Sequence, residues 1–384
     1  MIHNCFANTA RGLEQLLLDE IVALGGKDVE LARAGVKFCA ESTTIMRINL
    51  QSRIASRVLL QIAHGNYLRE DDIYDLAYAV HWHEWFDASC SIKSATNSIG
   101  SPLKSLEFVT LKVKDAVCDK FVDHGGTRPD VNKASPDVRI YTFLTHDTAT
   151  LYIDTSGESL FKRGYRKNKL DAPLKENLAF ALLKLANWRP EVPLYDPMCG
   201  SGTIVLEALS HGMNIAPGLR RNFAFENFKH FESDKWSGLQ QAAHAQIRVN
   251  PKLHIFASDI DARAIKIAQE NLEQLRLPAI DKCVKFSTAN FLDKNAPTPQ
   301  GILVTNPPYG IRLEEGEELA QLYPQWASHL KQNYANWNCY FLTADLRMPK
   351  LMRLKPSRKI PLYNGDLECR FYEFKMVAGS NRPA

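Results

Sequence analysis

The chain has 384 residues, of which 45% are apolar and 23% are charged. A chain of this length folds as two or three domains with their own cores, which excludes disorder as the main state. Apolar runs are far shorter than the roughly 18 residues of a membrane span, and no secretory signal is present, so we expect a cytosolic protein without a membrane partner. The 47 basic and 43 acidic residues give a net charge of only +4, which does not by itself identify a nucleic-acid binder.

The first 155 residues predict an α+β region of short alternating elements. Alternating apolar and polar residues favour strands over 2–6, 35–40, 57–63, 137–144 and 148–154. The last two of these strands are expected to form a hairpin. Apolar residues at helical spacing predict helices over 13–24 and 105–122.

The sequence indicates neither disulfide nor metal chemistry. Eight cysteines lie far apart, without a pair at zinc-binding spacing, and we interpret them as reduced thiols. His81-Trp82-His83-Glu84 contains potential ligands, but histidines two positions apart on a strand point to opposite sides. We therefore predict no metal site there.

A change of pattern near Ser156-Gly157 marks a second region, in which strands, glycine-containing turns and helices alternate. Strands are expected over 194–195, 254–258, 284–286, 302–305 and 339–343, and helices over 202–211, 261–275 and 317–333. This order is typical of a doubly wound α/β sheet, whose ligands bind at the carboxyl ends of the strands. Asn364-Gly365 predicts a terminal hairpin that joins 359–363 to 368–376.

The loop Asp196-Pro197-Met198-Cys199-Gly200-Ser201-Gly202 follows the first of these strands and precedes a helix. Its glycines allow the backbone to approach a ligand closely, and the helix start offers free N–H groups. The Walker lysine and the GxGxxG pattern are absent, which argues against nucleoside triphosphates and dinucleotides. The Asp196 carboxylate would repel phosphate and suits an ammonium group, such as that of S-adenosylmethionine.

Two further strand ends carry residues that suit an adenosine moiety. Asp259 is placed to accept hydrogen bonds from a ribose diol, and Ile260 to lie against an adenine ring. Asn290, followed by Phe291, either pairs with the adenine amino group or is an ordinary loop residue. Asp261 has a structural explanation as the N-cap of the next helix.

The tetrapeptide Asn306-Pro307-Pro308-Tyr309 follows the strand 302–305 and is the most informative motif of the sequence. The prolines fix φ and remove two donors, so the carbonyl groups around Asn306 act as acceptors beside its side-chain oxygen. These acceptors suit the two hydrogens of a planar amino group, and Tyr309 can stack on a base taken out of its helix. Proximity and orientation would supply much of the acceleration of a methyl transfer to that group.

Together these motifs resemble the class I S-adenosylmethionine-dependent methyltransferases that modify amino groups. The upstream segments 6–14, 112–116, 164–166 and 172–179 are similar to THUMP-domain methyltransferases that act on N2 of a guanosine in bacterial 23S ribosomal RNA. The resemblance covers essentially the whole chain. It implies a ferredoxin-like domain, a THUMP RNA-binding domain and a Rossmann-like methyltransferase domain over 1–55, 56–156 and 157–384, respectively.

The resemblance also implies roles for residues. The methionine end of the cofactor is expected beside the loop 196–202, called the glycine loop below, and beside a helix start with Pro173, Lys175 and Glu176. Alternatively, this helix start is a plain helix N-terminus that binds no ligand. The segment 306–309 is expected to hold the target base. Family members often have Asp where this chain has Asn290, which leaves the adenine contact open. Some relatives continue into a second methyltransferase domain, whose activity we do not expect here.

Two basic runs flank the motifs and are candidate RNA contacts, although a solvated basic face explains such runs as well. The candidate phosphate ligands are Arg163, Arg166, Lys167, Lys169, Arg353, Lys355 and Arg358. Phe161 and Tyr165 are candidate stacking surfaces for bases. An acidic cluster over 314–318 argues that RNA does not lie flat across the helix that follows the tetrapeptide.

The sequence therefore predicts a cytosolic enzyme that moves a methyl group from S-adenosylmethionine to N2 of a guanosine in 23S rRNA or a ribosomal precursor, without an obligate protein partner. An N6-adenine methyltransferase acting on RNA or DNA is the alternative, because the tetrapeptide suits any planar amino group. A third interpretation is a non-catalytic RNA-binding assembly factor, against which the presence of Asp196, Asp259 and Asn306 argues.

Overall fold

The computed structural model describes residues 2–166, 174–250, 252–276, 280–308 and 313–378. Its contacts divide the chain into two compact units. The first unit comprises Met1–Thr9, Leu17–Leu160 and Arg221–Ala242, and the second comprises Ala10–Leu16, Phe161–Arg220 and Ala243–Ala384. The segment Arg221–Ala242 is thus grouped with the N-terminal half of the chain, although it lies in the second half of the sequence.

The first unit is built on a seven-stranded sheet of mostly antiparallel strands. The strands are β1 (Ile2–Asn8), β2 (Lys27–Ala32), β3 (Gly35–Glu41), β4 (Arg57–Asn66), β5 (Ile92–Ser98), β6 (Val138–Leu144) and β7 (Thr148–Asp154). They lie in the order β2-β3-β1-β4-β7-β6-β5. The pair β5·β6 is parallel, and the other neighbours in this order are antiparallel. The helices in this half of the chain are α1 (Glu14–Ala23), α2 (Ser42–Gln51), α3 (Glu70–Tyr78) and α4 (Leu106–Gly125).

Helix α4 shows how local sequence sets these elements. Its N-cap Ser105 accepts a hydrogen bond from the Phe108 N–H at 3.1 Å, and its buried stripe includes Val113. It ends at Gly126, whose φ of +73° is open to glycine but strained for other residues. The helix predicted over 105–122 is therefore confirmed, as is the hairpin, which forms from β6 and β7.

The second unit contains a seven-stranded, mostly parallel sheet. The strands are β8 (Leu194–Asp196), β9 (Ile255–Asp259), β10 (Val284–Thr288), β11 (Gly301–Thr305), β12 (Trp337–Thr343), β13 (Arg358–Asn364) and β14 (Leu367–Lys375). They lie in the order β10-β9-β8-β11-β12-β14-β13, and β14 runs antiparallel to both of its neighbours. The helices in the second half of the chain are α5 (Glu176–Leu185), α6 (Thr203–Gly212), α7 (Ser233–Ala245), α8 (Ala262–Glu273), α9 (Leu313–Asn333) and α10 (Met348–Met352), and most of α7 belongs to the first unit.

The strand order of this sheet reverses at β8, which lies between β9 and β11. Ligands of doubly wound sheets bind at such a switch point, beyond the carboxyl ends of the strands. The loops after β8, β9 and β11 carry the three predicted motifs, so the topology brings all three to one edge of the sheet. The predicted Rossmann-like α/β fold, preceded by an α+β region, is confirmed.

The C-terminal hairpin is also confirmed. Strands β13 and β14 pair from Arg358 opposite Glu373 to Asn364 opposite Leu367. Gly365 in the turn has a φ of +66°, which explains why the Asn-Gly dipeptide predicted it. Within the described ranges no helix is both long enough and apolar enough to cross a membrane. The eight cysteines are free thiols, and six of them are buried.

Candidate active site

A single carboxylate joins the glycine loop to the end of β9. Asp259 Oδ2 accepts a hydrogen bond from the Gly200 N–H at 2.8 Å, and Oδ1 accepts one from the Asp261 N–H at 3.0 Å. The Cys199 N–H donates to the Ser258 carbonyl oxygen at 2.9 Å. A carboxylate has about four acceptor positions, so Asp259, which is half-buried, keeps capacity for a ribose diol.

The glycines of this loop are required by its backbone and by its neighbour. Gly200 and Gly202 have φ values of +53° and +81°, in the left-handed region that glycine adopts without strain. A Cβ on Gly202 would lie 3.0 Å from the Cβ of Ala268 on α8. The Asn271 side chain, also on α8, donates to the Ser201 carbonyl oxygen at 3.2 Å. Helix α8 therefore fixes the loop that leads into α6.

Other side chains of the loop point into the protein. Pro197, Cys199 and Ser201 are buried, and burial raises the pKa of the Cys199 thiol. Met198 is half-buried and packs against the aromatic core. Pro197, Cys199 and Ser201 can therefore offer a ligand mainly their backbone groups.

Asp196, the last residue of β8, is a buried acid whose carboxylate accepts two hydrogen bonds. It is 1% exposed, and its Oδ1 accepts from the Thr305 hydroxyl at 2.8 Å and from the Met198 N–H at 3.3 Å. Burial raises the pKa of the carboxyl to about 7, and these two hydrogen bonds oppose the shift. Near neutral pH the acid is thus poised between its two forms, and a cation beside it would favour the charged form. Thr305 was missed at the sequence level, although a polar residue ending an apolar strand was a usable signal.

A buried arginine supports the start of α6. Arg166 donates to the Thr203 hydroxyl at 2.7 Å and to the Leu174 carbonyl oxygen at 3.1 Å, and its Nε lies 3.5 Å from the Glu176 carboxylate. The side chain of Arg166 is only 9% exposed. The Nε and Nη2 groups of Arg166 thus have partners inside the protein, which argues against the predicted contact with RNA phosphate. The Glu176 carboxylate, which was predicted to contact the cofactor, is buried and pairs with Arg166.

The neighbouring Arg163 is buried as well. Its Nε lies 3.5 Å from the Glu207 carboxylate, which also accepts from the Tyr165 hydroxyl at 3.0 Å. Arg163 is 3% exposed and Tyr165 is 2% exposed. This burial argues against the predicted phosphate contact at Arg163 and the predicted stacking surface at Tyr165. A run of basic residues predicts a solvent-exposed surface, whereas Arg163, Tyr165 and Glu207 form a buried network.

The residues predicted to contact the adenine follow the strands β9 and β10. Ile260 is exposed directly after β9, where its apolar surface is open to a ring. Asn290 Oδ1 accepts from the Leu292 N–H at 3.0 Å and caps a short 3-10 turn, which is the ordinary loop role considered for it. The Phe291 ring is buried and packs near Trp326, so this residue of the predicted cofactor site could offer a ligand only its backbone. Asp261 is the N-cap of α8, as predicted, and accepts from the Arg263 N–H at 2.8 Å.

The tetrapeptide begins where β11 ends, beside β8. Leu303 of β11 pairs with Tyr195 of β8, so Asn306 follows at the same sheet edge as Asp196. Asn306 is half-buried, Pro307 is buried and Pro308 is exposed. Four predicted site residues lie outside the described residues, namely Tyr309, Pro173, Lys167 and Lys169.

The remaining predicted cations are on the surface. Lys175 is exposed, with its Nζ 5.4 Å from the centroid of the Phe161 ring. Arg353, Lys355 and Arg358 are exposed, and Arg358 donates to a backbone carbonyl at 3.1 Å. The basic run that contains these three arginine and lysine residues therefore remains a candidate RNA-binding surface.

Residues 163–373 match the UPF0020 family, described as RMKL-like, methyltransferase domain. The chain belongs to this methyltransferase family. Residues 67–154 match the THUMP domain, and residues 4–59 match the RlmL ferredoxin-like domain. The family suggested by the sequence motifs is thus confirmed over nearly the whole chain.

Similar proteins include "Ribosomal RNA large subunit methyltransferase K/L" of Shewanella loihica, 36% identical over 384 residues, which cover 99% of this chain and 54% of that protein. The chain thus spans about half the length of several curated relatives. "Putative RNA methyltransferase slr0064" of Synechocystis sp. is 35% identical over 372 residues, 97% of this chain and 96% of that protein. A crystal structure described as "a putative methyltransferase complexed with SAH" has a TM-score of 0.87 at 30% identity, covering 99% of both chains.

Family membership and this S-adenosylhomocysteine-bound structure indicate S-adenosylmethionine as the cofactor. The residues at the sheet edge fit it. The buried Asp196 carboxylate suits the ammonium end, the Asp259 carboxylate suits the ribose, and the positive-φ glycines between them open the backbone to close approach. When bound, the cofactor supplies an electrophilic methyl group.

Proposed function

We propose that this protein transfers a methyl group from S-adenosylmethionine to N2 of a guanosine in 23S rRNA. The observation that carries the proposal is the position of Asn306-Pro307-Pro308 at the switch point of the sheet. The residue before it, Thr305, donates to Asp196 at 2.8 Å. The segment suited to a planar amino group is therefore tied directly to the carboxylate suited to the cofactor.

The proposed chemistry assigns a positioning role to the tetrapeptide. The Asn306 side-chain oxygen and a neighbouring backbone carbonyl accept the two hydrogens of the exocyclic amine. Pro307 has no N–H, so it offers no competing donor to that amine. With both hydrogens held, the nitrogen lone pair would face the methyl group. The N–C bond would form as the S–C bond of the sulfonium breaks, which releases S-adenosylhomocysteine, and one N–H proton would then pass to solvent. Orientation of this kind can account for several kcal/mol of a barrier.

The choice of ribosomal RNA as substrate rests on two supports. One is the name "Ribosomal RNA large subunit methyltransferase K/L" of the Shewanella loihica relative, which is 36% identical over 99% of this chain. The other is the THUMP match over residues 67–154 together with the exposed cations Arg353, Lys355 and Arg358. Within this proposal the domains are divided as 1–55, 56–156 and 157–384, and the enzyme works in the cytosol on 23S rRNA or its precursor particle.

The product of the reaction tests the proposal. The purified chain is incubated with methyl-labelled S-adenosylmethionine and 23S rRNA from a strain that lacks this gene, and the RNA is digested to nucleosides for mass spectrometry. N2-methylguanosine supports the proposal. N6-methyladenosine would instead support the alternative target base, and binding of RNA without any methylated nucleoside would support a non-catalytic RNA-binding protein.

A further inference from the structure

Three potential metal ligands come together in the first unit, just after α3. One ligand atom each from His81, His83 and Glu84 lies within 4.8 Å of the other two. The segment was expected to be a strand, in which the two histidines diverge, and that expectation is wrong. Trp82–Glu84 forms a 3-10 turn, which has about three residues per turn and so places His81 and Glu84 on one side.

The turn that carries these ligands is anchored in the core. Trp82 is fully buried, and its indole N–H donates to the Ala77 carbonyl oxygen at 2.8 Å. The His83 ring stacks on the His124 ring of α4 with centroids 3.5 Å apart, and it meets the His81 ring edge-on at 5.7 Å. The ligand set is therefore held by packing on two helices and does not depend on a free loop.

The His83 ring also leaves one polar atom unsatisfied. Its Nδ1 is buried and has no hydrogen-bond partner among the described residues. A buried polar atom without a partner is destabilising, so its presence calls for a functional explanation.

We propose that His81, His83 and Glu84 bind a divalent transition-metal ion, for which zinc is the best match. Two imidazoles and one carboxylate are the ligand set of zinc sites that keep a fourth position open. Bonds of about 2.0–2.2 Å would draw the three atoms closer than their present spacing. The side chains of His81 and Glu84 are exposed and can rotate to do so.

The open position lies beside a cavity of the same unit. His81 and Glu84 line this cavity, whose volume is about 900 Å³. Trp85 and His230 also line it, and their rings meet edge to face with centroids 6.0 Å apart. A bound ion would therefore place one exchangeable ligand next to an aromatic-walled space. The proposal is independent of the methyl transfer, since every residue named here belongs to the first unit.

Metal binding by the full-length, untagged chain tests this site. After treatment with a chelator, the protein is titrated with Co²⁺, whose visible absorption reports tetrahedral binding, and then with Zn²⁺ in competition. We expect one equivalent of Co²⁺ that Zn²⁺ displaces, and at least tenfold weaker binding in His81→Gln and Glu84→Gln. His146→Gln is the matched control, because His146 is exposed on the β6–β7 turn of the same unit, and it should bind as the wild type does.

Two results of the metal titration would contradict the proposed site. Less than a tenth of an equivalent of bound metal, or binding that is unchanged in both variants, would overturn it. His81 and Glu84 are exposed, so their substitution leaves the buried Trp82 anchor in place, and circular dichroism checks that each variant is folded. Methyl transfer is not part of this assay, so its result does not depend on the proposed enzymatic function.

Discussion

The Thr305 hydroxyl donates a hydrogen bond to the buried carboxylate of Asp196 at 2.8 Å, across 109 residues of sequence. This contact joins the ends of β11 and β8 at the point where the strand order reverses. The cofactor side and the target-base side of the candidate site are thereby coupled through one proton donor. Because Asp196 is 1% exposed, the loss of that donor has no compensation from water.

Thr305→Val tests this coupling, since valine keeps the shape of threonine but removes the donor. Without the hydroxyl, the pKa of Asp196 rises further, and less of the carboxylate is available to a cationic cofactor at pH 7. We expect about tenfold weaker binding of S-adenosylmethionine at pH 7, equivalent to about 1.4 kcal/mol, measured by calorimetry. Thr288→Val, at the exposed end of β10, is the control. Equal affinities for the two variants would contradict a role for the hydroxyl.

The raised pKa of Asp196 also predicts how stability depends on pH. The pKa of the Asp196 carboxyl is 3.8 in the unfolded chain and about 7 in the folded protein. Between these values the folded state keeps a proton that the unfolded state has released, so stability falls as pH rises from about 4 to about 7. The full effect is on the order of 4 kcal/mol.

Urea unfolding of the wild type and of Asp196→Asn, compared from pH 4 to pH 8, measures this contribution. The amide does not titrate, so the stability of the wild type relative to the variant should decrease through this window and become constant above it. Parallel curves for the two proteins would show that Asp196 ionises normally.

The elements that hold the site were predictable because their signals are local. An apolar strand followed by an acid, glycines and a helix marks the β8 loop, and Asn364-Gly365 marks the last hairpin. Strand β2 was missed, because Lys27–Ala32 does not alternate clearly and is mostly exposed. The contact of Thr305 with Asp196 was not predictable, since no local pattern encodes a bond between residues so far apart. Burial of Arg163 and Arg166 was missed for a related reason, as their carboxylate partners lie in other segments.

Asn306→Ala addresses the proposed methyl transfer itself. The side chain follows β11 and is half-buried, so its truncation should leave folding and cofactor affinity nearly unchanged. We expect turnover at saturating cofactor to fall by a hundredfold or more, about 3 kcal/mol of barrier. Asn295→Ala, at an exposed position of the preceding loop, is the matched control. An Asn306→Ala protein with normal turnover would remove Asn306 from the proposed site.

Arg166→Lys separates a structural arginine from an RNA-binding one. Lysine keeps the charge but lacks the planar fork that reaches Thr203, Leu174 and Glu176 together. We expect a loss of about 1–3 kcal/mol of unfolding free energy and weaker cofactor binding, because Thr203 begins α6 beside the glycine loop. Arg353→Lys, at an exposed position, should change neither. Equal stability of the two variants in urea would contradict the structural role of Arg166.

The exposed run of Arg353, Lys355 and Arg358 carries the last prediction, on RNA affinity. Each phosphate contact that a cation makes releases counterions, so the logarithm of affinity falls linearly with the logarithm of salt concentration. Replacement of all three residues by glutamine should weaken RNA binding at low salt and reduce the magnitude of that slope by about 2–3. The side chains are exposed, so the unfolding free energy should stay within about 0.5 kcal/mol. Filter binding between about 50 and 200 mM salt measures the slope, and a slope equal to that of the wild type would place the RNA on another face of the protein.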